Sequence, residues 1–299
     1  MNPRVSIVLS FYNGANFFRD TLRSVLEQSL ADWELILVDD GSTDLSTTIA
    51  KELAATDERV RYVTHDDGGN HGLAASRVWG SKLAAGQHLL FLDHDDILVT
   101  DALERLSGIL DSYPQSTAVF AATRFWIWQD SGEFKVTQSF APLRTGMFSG
   151  RRFLRLLISR DSLHPHVCSI MFRHAEFEAS QMTAPIWHGM YEDTALLVKL
   201  LARHDIYLLD EPISDYRIHG DSMSHHNQRD YVGFLRWAAK EIPMDLRSRA
   251  TIHTRRIFIA ARQRIQKLRR SARGEMHARF QSANDGGARP RGRATHETR

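Results

Sequence analysis

The stretch Trp33-Glu34-Leu35-Ile36-Leu37-Val38-Asp39-Asp40-Gly41-Ser42-Thr43-Asp44 decides how this chain folds. Its segment 34–38 is apolar after Glu34, which suits a strand buried on both faces. Two acids end the strand and a glycine turn follows. Ser42 then stands where a helix cap belongs, ahead of an amphipathic stretch over 43–55. Strand, polar turn and helix together are half of a β-α-β unit.

The same alternation extends to either side. Strand candidates at 5–10, 60–64, 88–92 and 117–123 are separated by helix candidates at 15–28, 71–85 and 100–111. In the last helix Thr100 is the expected N-cap, with Asp101 and Glu104 in the first turn. Repeated units of this kind predict an α/β fold with a mostly parallel, doubly wound sheet and helices on both faces. Such sheets bind ligands beyond the carboxyl ends of their strands, so polar clusters just after strands are the candidate sites.

Beyond 125 the alternation loosens. Phe125-Trp126-Ile127-Trp128 reads as an aromatic strand, followed by hairpin and loop to about Phe148. A helix capped by Ser149 is expected over 149–159, a buried strand over Val167–Phe172, a helix over 191–203 and strands at 206–209 and 213–218. From Asp230 the chain reads helical with a break at Pro243, and 273–299 is too poor in apolar residues to order itself. The expected organisation is a domain over 1–225, a helical extension over 226–272 and a basic disordered tail over 273–299. Within the domain, about 1–125 forms a nucleotide half and 126–225 an acceptor half.

Composition narrows the class. The chain has 299 residues, 42% hydrophobic and 25% charged, which excludes disorder throughout, collagen-like repeats and a disulfide scaffold. Cys168 is the single cysteine, so no internal bridge and no cysteine-rich zinc site can form. No apolar run approaches the roughly 20 residues that span a bilayer. Val5–Leu9 follows the N-terminus without a basic-then-apolar leader, so a cytoplasmic protein is expected. The net charge of +2 hides an asymmetry: 240–299 carries 16 basic and 5 acidic residues, and the body is mildly acidic.

Four clusters carry chemistry. Asp39 and Asp40 end a strand side by side, where like charges repel, and a carboxylate there suits the imide N–H of uracil or thymine. Asp93-His94-Asp95-Asp96 follows the apolar strand 88–92. Packed acids raise one another's pKa unless a cation intervenes, and Asp-x-Asp presents hard oxygen ligands to Mg²⁺ or Mn²⁺. Tyr191-Glu192-Asp193 opens a helix, where acids are favoured by the dipole in any case, and also offers a general base. Tyr216-Arg217-Ile218-His219-Gly220 places a histidine past a strand end.

In combination these residues resemble the family 2 glycosyltransferases of GT-A fold. The opening Val5-Ser6-Ile7-Val8-Leu9-Ser10-Phe11-Tyr12-Asn13, the run Ser24-Val25-Leu26-Glu27-Gln28-Ser29, the Trp33–Asp44 stretch, Leu92-Asp93-His94-Asp95-Asp96, Glu192-Asp193 and Tyr216-Arg217-Ile218-His219 stand in the family's order over about 4–224. The resemblance implies an inverting, metal-dependent transferase, a hexosyltransferase or a related one. It would move a sugar from a nucleotide-diphosphate donor, UDP or dTDP, to a hydroxyl of a glycan or lipid-linked acceptor in cell-surface polysaccharide synthesis. It also implies roles. Ser10, Tyr12 and Asp40 hold the nucleobase, with Asp39 supporting that corner and Arg77 near the phosphates. Asp93 contacts ribose or metal, Asp95 binds a divalent cation, Mn²⁺ or Mg²⁺, and His219 touches metal or diphosphate. Asp193 is the general base, with Glu192 beside it. Val78 stands where the family has Asn, and Thr183–Met190 lacks the family's Gly-Phe step.

The alternatives are a non-catalytic sugar-nucleotide or glycan-binding protein and a nucleotidyltransferase. The second needs a Gly-rich basic loop, which Ser10-Phe11-Tyr12-Asn13-Gly14 is not. Residues 246–272 read as a basic amphipathic helix. One reading is peripheral contact with an anionic inner membrane surface. The other is packing on the body or on a second subunit. No nucleic-acid partner is expected, because the tail has little aromatic interleaving.

Overall fold

The structure is a computed structural model that describes residues 2–129, 132–159, 165–179, 192–219, 231–242, 245, 247–256 and 259. The first half alternates as expected: β1 (Val5–Phe11), α1 (Ala15–Leu26), β2 (Trp33–Asp39), α2 (Ser46–Thr56), β3 (Val60–Thr64), α3 (Leu73–Leu83) and β4 (His88–Asp93), then a short β5 (Ile97–Leu98) and α4 (Ala102–Ser112). The second half runs β6 (Ala118–Gln129), β7 (Gly132–Gln138), β8 (Gly146–Phe148), α5 (Gly150–Ser159), β9 (Ile170–Arg173), α6 (His174–Ala179), α7 (Glu192–Leu201), β10 (Ile206–Ile218) and α8 (Tyr231–Glu241).

Among the described residues all the strands join one sheet, in the order β3-β2-β1-β4-β9-β6-β10-β5, with β7 paired to β6 and β8 to β10. β1, β2, β3 and β4 are mutually parallel. β9 runs antiparallel to both β4 and β6, so β6 and its parallel partner β10 share the common direction. Strand order reverses beside β1, with β2 on one flank and β4 on the other. That is the switch point at which open α/β sheets bind ligands.

Helices cover both faces. Val5, Ile7, Leu9 and Phe11 of β1 join one buried cluster with Phe18, Leu22 and Val25 of α1 and Leu103, Leu106 and Leu110 of α4. Residues of opposite parity face α3, where a Cβ on Gly80 would stand 2.4 Å from Val8 Cγ1 and 2.9 Å from Val38 Cγ2. Only glycine lets that helix approach so closely. On the same face Phe91 and Phe172 pack on Phe177 of α6.

Several local expectations change. Ser42 does not cap α2: an Asp44-centred turn intervenes, Asp44 Oδ1 accepts the Ser46 N–H at 2.9 Å, and the helix begins at Ser46. Asp101, not Thr100, holds the N-cap position of α4, and the Thr100 carbonyl accepts the Ser29 N–H at 2.8 Å. The two segments expected at 117–123 and 125–128 are one long strand, hairpinned onto β7. The segments at 206–209 and 213–218 also fuse, because Pro212 sits in a bulge where the pairing with β6 shifts register. Val167–Ser169 is a 3-10 turn leading into β9. Cys168 is unbridged and buried.

The chain divides into two compact units, Met1–Ile252 and His253–Arg299. α8 lies in the first, packed against α7. The expected helix over 246–272 is described only in part, with 247–256 helical. The tail 273–299 and the segment Thr183–Met190 lie outside the described residues. Among the described residues no helix is long and apolar enough to cross a membrane.

Candidate functional site

At the carboxyl edge β1, β2 and β4 end level. Phe11 pairs with Asp39, and Ser10 lies opposite both Val38 and Asp93. Parallel register therefore brings the two acidic clusters to one rim, though more than 50 residues separate Asp39 from Asp93.

Asp39 is buried and braces its own turn. Its Oδ1 accepts the Ser42 N–H at 2.8 Å, and its Oδ2 accepts the hydroxyls of Thr47 at 2.5 Å and Tyr62 at 3.0 Å. Burial, reinforced by the hydrogen bond to Asp39 and its charge, pushes the Tyr62 phenol up to about 12, so it stays a donor.

Asp40, also buried, is committed to the loop ahead of α3. Oδ1 accepts the His71 N–H at 2.8 Å and the Ser76 hydroxyl at 3.0 Å, and Oδ2 accepts the Gly72 N–H at 3.0 Å. His65 Nε2 lies 3.4 Å from Oδ1. Sequence reasoning reserves this carboxylate for a nucleobase. In the structure it takes three donors from the protein, a bracing role that composition and spacing do not reveal.

The first turn is tied to the second. Asn13, in left-handed backbone at φ 52°, donates its N–H to Ser42 Oγ at 3.1 Å and accepts the Thr43 N–H at 2.8 Å through Oδ1. Asp44 Oδ2 accepts the Ala15 N–H at 3.0 Å, satisfying an open donor at the start of α1. Between these anchors Tyr12 is 48% exposed, while Ser10 is buried beside Asp93 in the register.

On the β4 side Asp93 Oδ1 meets Arg77 Nη2 of α3 at 2.6 Å. Asp95 Oδ2 lies 3.0 Å from His219 Nε2, joining two motifs 124 positions apart. Burial raises the Asp95 carboxyl, but the His219 hydrogen bond and the charges of His94 and His219 carry it below the ordinary carboxylate range. The His94 ring occupies the space over Gly14, where any Cβ would stand 2.1 Å from its Cδ2. Asp96 turns inward: it is wholly buried and its Oδ1 accepts the Arg217 N–H at 3.1 Å. Burial and the neighbouring Asp95 and Asp93 push its carboxyl well above the ordinary range. Glu192 and Asp193 open α7.

Asp95 and His219 supply one oxygen and one nitrogen donor at a common point. That pair fits a divalent cation completed by water and phosphate oxygens. Among the described residues no group of three or more His, Cys, Asp or Glu side chains is arranged to hold a metal ion. Asp93 is turned to Arg77 here, not to a shared ligand set with Asp95.

Sequence reasoning gave no role to His65, His71, Asp96 or Arg217. The signal for Arg217 was present: strand alternation puts it on the same face as Asp215, which is buried between Arg124 and Lys135.

A doubly wound sheet with an antiparallel strand let in between β4 and β6, and acids at the carboxyl edge of its switch point, defines a GT-A α/β fold. The chain belongs to glycosyl transferase family 2, whose family model matches residues 6–177. An uncharacterized glycosyltransferase of Rickettsia felis is 26% identical over 235 residues, covering 78% of this chain and 36% of the relative. The chain thus spans about a third of that relative's length. The putative teichuronic acid biosynthesis glycosyltransferase TuaG of Bacillus subtilis is 34% identical over 130 residues, 44% of this chain and 50% of TuaG. Among solved structures, S. aureus TarS 1-349 in complex with UDP-GlcNAc superposes with a TM-score of 0.65 at 18% identity, covering 83% of this chain and 70% of TarS.

Proposed function

We propose that this glycosyltransferase moves a sugar from a uridine or thymidine diphosphate donor to a hydroxyl of a glycan or lipid-linked acceptor in cell-surface polysaccharide synthesis, with inversion. The observation that carries the reading is the meeting of Tyr12, Asp40, Arg77–Asp93 and Asp95–His219 on one rim. TuaG, named for teichuronic acid biosynthesis, and TarS, solved in complex with UDP-GlcNAc, support the acceptor class and the donor type.

In this reading Tyr12 offers its exposed ring to the base, and Ser10 and Asp40 line the same corner. Asp40 keeps an acceptor position on Oδ2, since a carboxylate offers about four lone-pair sites and three are used. Arg77 and Asp93 face the ribose and phosphates. Asp95 and His219 would hold Mn²⁺ or Mg²⁺, whose charge stabilises the departing diphosphate. Asp193, beside Glu192 in the first turn of α7, takes the proton of the attacking hydroxyl. The bond from the anomeric carbon to the diphosphate oxygen breaks as the new glycosidic bond forms on the opposite face. The nucleoside diphosphate leaves with the electron pair.

Slow donor hydrolysis tests this without knowledge of the acceptor. Asp193→Asn is expected to abolish release of UDP from UDP-sugars while leaving UDP and Mn²⁺ binding intact. Binding without turnover by the wild type, across UDP- and dTDP-sugars, would replace the reading with that of a sugar-nucleotide-binding protein.

A further inference from the structure

Arg217 is 2% exposed and among the largest buried side chains. It is held in an unusual way. Its guanidinium lies 4.5 Å from the centre of the Phe17 ring and 4.8 Å from the Trp126 ring. Among the described residues Nε and Nη2 donate no hydrogen bond, and Nη2 reaches half-exposed Asp20 at 3.6 Å. A buried cation with so few hydrogen bonds is a poor way to fill a core, and an apolar side chain of similar length would fill it better. What the guanidinium does supply is orientation, because a cation fixes the plane of an aromatic ring it faces.

The Phe17 ring also packs on the His219 ring, with centres 4.4 Å apart at 44°. His219 Nε2 in turn lies 3.0 Å from Asp95. A second path runs through the backbone, where the Arg217 N–H holds Asp96, the next residue after Asp95. Both paths end at the Asp95–His219 pair. We infer that Arg217 is a positioning residue for this pair: through Phe17 it sets the His219 ring where it and Asp95 can share a divalent cation. The inference rests on the nucleotide-sugar reading above.

Calorimetry of UDP binding to the full chain, with Mn²⁺ and with EDTA, tests it. For Arg217→Met, melting in EDTA is expected to stay within about 2 °C of wild type or to rise, since a costly buried charge is gone. UDP affinity in EDTA is expected to be unchanged, and the gain in affinity on adding Mn²⁺ to fall about tenfold or more, as when the supports of metal ligands are removed. Arg217→Lys, which keeps a cation near the rings, restores part of that gain. Phe17→Leu leaves the buried charge in place and is expected to lose as much as Arg217→Met, with the double variant losing no more. An unchanged Mn²⁺ gain in either single variant overturns the inference, whatever the melting temperature of Arg217→Met. Should that variant fail to fold, Phe17→Leu decides alone. Equal UDP affinity with Mn²⁺ and with EDTA in the wild type also overturns the inference, whereas no UDP binding by the wild type in either buffer would instead refute the nucleotide-sugar reading.

Discussion

Replacing Asp40 by Ala separates two reasons for having a carboxylate at the end of β2. If it serves only a ligand, its loss leaves folding untouched. The geometry says otherwise: two backbone N–H groups and the Ser76 hydroxyl converge on it. His71 is exposed and Gly72 partly so, which lets water replace those bonds, at about 1 kcal/mol each. Ser76 is fully buried, but its hydroxyl also lies 2.8 Å from His65 Nε2 and keeps that partner, so its lost bond again costs about 1 kcal/mol. The sum is about 3 kcal/mol. For a folded unit of this size, ~2–4 °C is lost per kcal/mol, so melting should fall by roughly 6–12 °C. Asp40→Asn keeps one oxygen but sets an amide N–H₂ against one of the donors, and should fall in between. Circular dichroism melts of the three proteins provide the measurement, and hydrogen exchange should place the lost protection in 65–76. An Asp40→Ala protein that melts within about 2 °C of wild type would refute the bracing argument.

The other predictions concern the rim and its anchors. Tyr12→Ala removes an exposed ring, so stability should move by less than about 0.5 kcal/mol. UDP affinity should meanwhile fall by the worth of one base stack, about 1–3 kcal/mol in titration calorimetry. UDP is expected to raise the melting temperature more with Mn²⁺ than with EDTA, and Asp95→Ala should remove that difference; equal shifts with and without metal in the wild type count against the assignment. Acid stability should depend on Asp44. Partial burial raises its carboxyl, but hydrogen bonds from Ser46 and from the Ala15 N–H bring it below the ordinary range. Its contribution is therefore complete above about pH 4 and drains away as pH falls through the folded value. Asp44→Asn should be less stable than wild type at pH 6, with the gap closing in melts toward pH 2.

What could be read in advance follows from what sequence encodes locally. β1, β2 and β4 announce themselves because strands buried on both faces must be largely apolar, and each of these is. The acidic rim was legible for the same reason: once the strands are parallel, residues just past them share an edge. Direction was not legible for β9, since an apolar run reads the same either way, and only its pairing with β4 and β6 sets it. A proline removes a ladder donor, so Pro212 is out of place inside a regular strand. The chain keeps one strand by placing it in a bulge. Partners across space were the least accessible. Asp40 meets donors 31 to 36 positions away, and Arg217 meets Phe17 and Asp20 of α1 and Trp126 of β6.

The acids of this edge divide by the company they keep. Asp39, Asp40 and Asp44 are met mainly by backbone N–H groups and hydroxyls of the turns they stabilise, donors fixed by the fold and lost only if a turn opens. Asp96 is turned into the interior. Asp93 and Asp95 are met instead by Arg77 and His219, side chains that carry or can carry positive charge. Such partners occupy the carboxylates in the same electrostatic sense as a cation, and these pairs do not hold a turn closed. This is why an equal truncation is expected to act differently in the two sets, lowering melting temperature at Asp40 and metal-dependent nucleotide affinity at Asp95.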